Sequence, residues 1–97
     1  MLARVVSFEG VDGERIEQMR RDIGSQEGPP DDVPASEMIL LHDADGQRAT
    51  AILFFENEED YAKGDAALNA MPAGDTPGRR TAVSKCNVAI RMEANRA

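Results

Sequence analysis

The most constraining feature of this chain is a central hairpin that is apolar on both of its faces. Met38-Ile39-Leu40-Leu41 is apolar at four consecutive positions and Ala51-Ile52-Leu53-Phe54-Phe55 at five. Between them lies Asp45-Gly46, a strong tight-turn pair for two antiparallel strands. Side chains alternate faces along a strand, so runs without alternation put aliphatic groups on both sides of the ribbon. An antiparallel sheet with one wet face should instead read apolar and polar in turn.

The flanking segments supply the other elements. Leu2–Glu9, LARVVSFE, is rich in β-branched and aromatic residues and reads as a strand, ended by Gly10. Asp12 is placed to cap a helix, with Val11 and Ile16 set for a hydrophobic staple across the cap. Ile16, Met19 and Ile23 recur at helical spacing, Glu17 and Arg21 form an i,i+4 pair, and Gly24 reads as the stop. Residues 25–35 hold three prolines and three acids without any period, and read as a loop. The hairpin strands are expected at about Glu37–His42 and Arg48–Phe55.

Asn57 is expected to cap a second helix, with Glu58, Glu59 and Asp60 favoured in its first turn by the helix dipole. Tyr61, Gly64, Leu68 and Met71 fall on one face of it, Glu59 and Lys63 pair, and Pro72 marks its end. Gly64 costs about 1 kcal/mol in mid-helix relative to alanine, which predicts a close approach at that point. After a loop at 72–80, the last strand is expected from Thr81 to Met92, with Glu93–Ala97 a frayed tail. The order strand–helix–strand–strand–helix–strand predicts an α+β, ferredoxin-like βαββαβ domain spanning residues 1–97. It has a four-stranded antiparallel sheet and two helices on one face.

Two helices cover one face only. Leaving several large aliphatics of the other face in water costs about 1.5–3 kcal/mol each, too much for a small domain stable by roughly 5–10 kcal/mol. A second copy packed sheet against sheet removes that cost, and predicts a homodimer with roughly 2,000 Å² of buried surface or more. The alternative, loops folded over the sheet, is disfavoured because the loops are acidic and proline-rich.

Charge and composition narrow the partners. Eighteen acidic against eleven basic residues in 97 give a net charge of −7, the wrong sign for binding a phosphate backbone. No apolar run approaches the roughly 20 residues of a membrane span. One cysteine cannot form an internal disulfide, and the N-terminus lacks a charged lead with an apolar run behind it. An intracellular, cytoplasmic setting is therefore expected.

Several residues carry candidate chemistry. His42 is the one histidine, and reads either as a general base or as a half-exposed residue at the hairpin end. Tyr61, on the inner stripe of helix two, reads as a hydrogen-bond partner for a phenolic or quinoid ligand or as a core residue. Ser7 points into the same cavity or bonds to backbone, and Phe55 is pocket wall or core. Lys85, Asn87, Arg91 and Arg4 line a polar cavity or pair with acids across the dimer. Cys86 reads as a buried, inert thiol. Asp43-Ala44-Asp45-Gly46-Gln47 begins like a calcium loop, but its glycine is early and Phe54 stands where a bidentate glutamate is needed. No metal site is expected.

The opening strand ARVVSFEG, the hairpin MILLHDADGQRATAILFFENEED, the closing strand RRTAVSKCNVAIRM and the strand-to-helix junction FFENEEDY together resemble the dimeric α/β-barrel superfamily. Within it, they are similar to the antibiotic biosynthesis monooxygenase-like proteins. The resemblance implies protomers that pair through their sheets into a barrel, each with a pocket between sheet and helices. It implies oxidation of small aromatic or quinol-type substrates with oxygen and no metal or flavin, or the degradation of haem in other members. The chain departs from the haem-degrading pattern. It has no tryptophan, Phe55 stands at the junction, His42 lies off the second helix, and Ser7 replaces an asparagine. The expected pocket residues are Ser7, His42, Phe55 and Tyr61, with a small aromatic ligand and no cofactor. The alternative is a non-catalytic ligand-binding or interaction module of the same fold.

Overall fold

Strand β1 (Leu2–Glu9) sits in the middle of the sheet and pairs antiparallel on both sides. A computed structural model describes residues 1–23, 32–71 and 76–94 of the chain. The further elements are α1 (Gly13–Ile23), β2 (Glu37–Asp43), β3 (Arg48–Phe55), α2 (Glu58–Asn69) and β4 (Arg79–Asn87). The sheet order is β2-β3-β1-β4, antiparallel throughout, which is the ferredoxin-like arrangement expected from the element order.

Local signals build the helices as the residues predict. The Asp12 carboxylate accepts from the Arg15 amide at 2.8 Å, and Asn57 accepts from the Asp60 amide at 2.8 Å. Val11, wholly buried, shares a cluster with Val6, Phe8 and Ala49 against which Ile16 packs, so the staple forms. Glu59 and Lys63 approach to 3.8 Å. Glu17 takes Arg20 at 2.9 Å, not the expected Arg21, the i,i+3 neighbour being equally close on a helix surface. The expected stops at Gly24 and Pro72 lie outside the described residues.

The hairpin turn spans Ala44–Gln47, and its left-handed residue is Gln47 (φ 52°) where Asp45-Gly46 suggested a glycine. Asp43 explains the shift. Its carboxylate accepts from the Gly46 amide at 3.1 Å and binds Arg48 at 3.2 Å, so the side chain shapes the turn. The same contacts, the Gly46 amide first, hold the Asp43 carboxyl below its ordinary value. The Gln47 carbonyl accepts from the Val11 amide at 2.8 Å, tying the turn to the β1–α1 junction.

The register assigns the faces. Leu2, Arg4, Val6 and Phe8 of β1 oppose Phe55, Leu53, Ala51 and Ala49 of β3, and this face meets the helices. The other face carries Ala3, Val5 and Ser7 beside Phe54, Ile52 and Thr50, then Ile39 and Leu41 of β2. Among the described residues nothing covers that second face: Ile39 and Leu41 remain 36% and 53% exposed. The two-sided apolar hairpin is present as read from the sequence.

Strand β4 ends at Asn87, five residues before the expected Met92. The reason is non-local. Asn87 opposes Leu2, the first residue of β1, so the neighbouring strand runs out there. One further main-chain bond, from the Val88 amide to the Met1 carbonyl at 3.0 Å, closes the ladder.

Candidate functional site

The expected pocket residues divide into two pairs. Phe55 and Tyr61 come together on the helix side. Asn57 starts α2 just after β3 ends, which turns Tyr61 back onto the strand it follows. Their rings meet edge to face, with centroids 5.4 Å apart and planes at 69°, in a buried cluster with Leu2, Val33 and Leu53. Gly64 closes this space: a Cβ built on it would lie 2.6 Å from Phe55 Cζ. The close approach predicted from a mid-helix glycine is found.

The polar rim of this cluster was only half legible in the sequence. Arg4, 3% exposed, reaches up to α2, where Nε donates to Asp65 Oδ1 at 2.9 Å and Nη2 to Asn69 Oδ1 at 3.1 Å. Arg80 donates to the same Asn69 oxygen at 2.8 Å. Lys85 lies over the Tyr61 ring at 5.0 Å from its centroid and is paired with Glu58. Arg4 and Lys85 thus pair with acids of their own chain, not with acids across a dimer as expected. Burial, followed by the nearby Asp65 charge, pushes the Tyr61 phenol above its ordinary value, against the opposing pull of Arg4 and Lys85.

Ser7 and His42 both border an open concavity of about 500 Å³ at the hairpin end of the sheet, but from opposite faces of it. Ser7 lies on the uncovered face, opposite Thr50 of β3 and Ala82 of β4. Its carbonyl accepts from the Thr81 hydroxyl at 3.3 Å. Thr50 and Thr81 also line the concavity, with Leu41 as apolar wall. Sequence reasoning missed both threonines, since the pairing of Ser7 with Thr50 follows from a register that no local signal states.

His42 sits at the end of β2, partly buried, with Nε2 3.0 Å from the Val11 carbonyl oxygen. A carbonyl only accepts, so Nε2 carries the proton and Nδ1 is the nitrogen left to take one.

Cys86, expected to be buried, is exposed. It opposes Ala3 on an edge strand whose residues are all exposed, a burial that no local pattern reports. No group of three or more His, Cys, Asp or Glu side chains among the described residues could hold a metal ion. No helix is long and apolar enough to cross a membrane.

No family model matches the chain, and no curated protein matches it. A solved structure does: an arginine-to-serine mutant of MhuD with two manganese protoporphyrin IX molecules bound per active site. It aligns over 97% of this chain and 100% of its own with a TM-score of 0.61 and 16% identity. The chain has the MhuD fold. At that identity the likeness is one of fold, and it bears out the monomer architecture implied by the resemblance to the antibiotic biosynthesis monooxygenase-like proteins. The residues here do not fit a porphyrin between α2 and the sheet. Helix α2 carries no His, Cys or Met, and Phe55, Tyr61 and Gly64 occupy the space between them.

Proposed function

We propose that the chain is a homodimeric, monooxygenase-like protein that takes a small aromatic or quinol-type molecule at the concavity of Ser7 and His42 and oxidises it with oxygen. The observation that carries this reading is the lining of that concavity. Ser7, Thr50 and Thr81 line it beside Leu41, and His42 borders it from the helix face of the sheet, a set that suits a flat ring bearing hydroxyl groups. Its volume of about 500 Å³ is within the range of small-molecule sites.

The chemistry asks little of the protein. A quinol supplies the electrons that reduce oxygen. The site has to accept a phenolic proton, for which His42 is the candidate, and to donate hydrogen bonds to the developing phenolate, for which Ser7 and Thr50 are the candidates. Pairing of two sheets would cover the open side and exclude water, which strengthens each of these interactions.

A second reading, binding without turnover, draws support from one contact. The hydrogen bond of His42 runs to a main-chain carbonyl and not to a carboxylate, so its ring lacks the orienting acid common beside a general base. Oxygen uptake with a panel of hydroquinones and naphthols, run alongside NMR titration of the same panel, separates the two. Turnover that His42→Ala abolishes supports oxygenation. Chemical-shift changes at Ser7 and Thr50 without uptake support binding alone, and neither effect with any member of the panel removes both readings.

A further inference from the structure

The uncovered face of the sheet is ordered in rows across its strands. At the hairpin end, Glu9 of β1 opposes Arg48 of β3, and Arg48 opposes Asp43 of β2, a row of charged side chains. The next row inward on the same face is Ser7, Thr50 and Leu41. Both rows line the concavity. Residues two apart on a strand share a face and lie about 6.6 Å apart, close to the span of a benzene ring with a substituent at each end.

The hydrogen-bonding capacity of the charged row is unevenly used. Asp43 engages both carboxylate oxygens, Oδ1 with the Gly46 amide and Oδ2 with Arg48. Glu9 is paired with Arg79. The Arg48 guanidinium is a planar fork of N–H donors. Among the described residues its side chain makes a single hydrogen bond, from Nη2 to Asp43 at 3.2 Å. The row therefore leaves donors open on a positive charge that stands beside the concavity. Such a fork matches the two oxygens of a carboxylate, and a charge-assisted bond of this kind is stronger than one to a neutral hydroxyl.

We infer that Arg48 takes a carboxylate, so that the ligand of the concavity is a hydroxylated aromatic acid with its hydroxyl and its acid at opposite ends of the ring. The inference rests on the ligand reading of the concavity above and narrows its substrate class. The ring hydroxyl lies at Ser7 and Thr50, the ring against Leu41, and the acid at Arg48. Asp43 holds the guanidinium at the rim and also competes for it, so the ligand carboxylate shares Arg48 with Asp43.

The test is NMR titration of the full chain at neutral pH with 4-hydroxybenzoate, hydroquinone and tyramine, which carry an acid, a hydroxyl and a cation opposite the phenol. With a net charge of −7 the chain as a whole favours the cation, so a preference for the acid reports a local group. The acid should bind about fivefold more tightly than hydroquinone, the size expected for an exposed ion pair, with shifts at Ser7, Thr50 and Arg48 Nε. Arg48→Gln should erase the preference. Asp43→Asn, which keeps an oxygen for the Gly46 amide but removes the competing charge, should enlarge it. Hydroquinone or tyramine bound as tightly as the acid, or a preference that survives Arg48→Gln, overturns the role of Arg48 and leaves the concavity as the site. No shift at Ser7 or Thr50 with any of the three overturns both.

Discussion

Gly64 of α2 lies flat against the ring of Phe55, so near that a Cβ built on the glycine would stand 2.6 Å from Cζ. Phe55 is wholly buried and cannot swing aside without disturbing Tyr61, its edge-to-face neighbour. Alanine in mid-helix ordinarily stabilises by about 1 kcal/mol, whereas forcing a methyl group into a filled core costs about 1–3 kcal/mol. Gly64→Ala is therefore expected to lower stability in denaturant unfolding. A variant more stable than the parent would show that α2 is free to lift off the sheet.

Arg4 and Asp65 are unequal partners, with side chains 4% and 37% exposed. Asp65→Ala strands a buried guanidinium and should cost about 1–3 kcal/mol. Arg4→Met replaces the charge with an apolar chain of similar length and leaves an aspartate that water can reach, so it should cost less. Unfolding free energies of the two variants in the reverse order would contradict this placement.

Tyr61 is the one tyrosine, so phenolate absorbance reports it without overlap. Its titration midpoint should lie above the ordinary value of 10.0, because burial disfavours the anion. The folded chain then binds this proton more tightly than the unfolded chain. Stability from this group is full below pH of about 10 and is lost as pH rises through the folded value. Tyr61→Phe should flatten that part of the alkaline loss, and a midpoint at or below 10 would contradict the buried phenol.

Ser7→Ala and His42→Ala should weaken binding of a hydroquinone at the concavity, each by about tenfold for a lost hydrogen bond to the ligand. Tyr61→Phe should leave binding unchanged, because Tyr61 packs in the core. NMR titration of the three variants checks this. Equal loss in all three would move the site to the helix side.

What was legible in the sequence is what neighbours along the chain decide. Asp12 and Asn57 cap their helices through amides three residues on, and Asp43 shapes its turn within five residues. The two-sided hairpin follows from apolar runs alone. The end of β4 is not of this kind, since it depends on where β1 begins, some 85 residues away (Leu2 against Asn87). The grouping of Ser7 with Thr50 and Thr81, and its separation from Tyr61, depends likewise on the register of β1 between β3 and β4. Arg4 offered no sign of burial beyond its place among apolar neighbours, because its acceptors lie on a helix more than 60 residues later.

The uncovered face of the sheet is tested most directly by the mass of the chain in solution. Light scattering at micromolar concentration should give twice the 10.5 kDa of a single chain, and Leu41→Asp, which puts a charge on that face, should return it to 10.5 kDa. A mass of 10.5 kDa for the unmodified chain, with Ile39 and Leu41 left in water, would contradict the account.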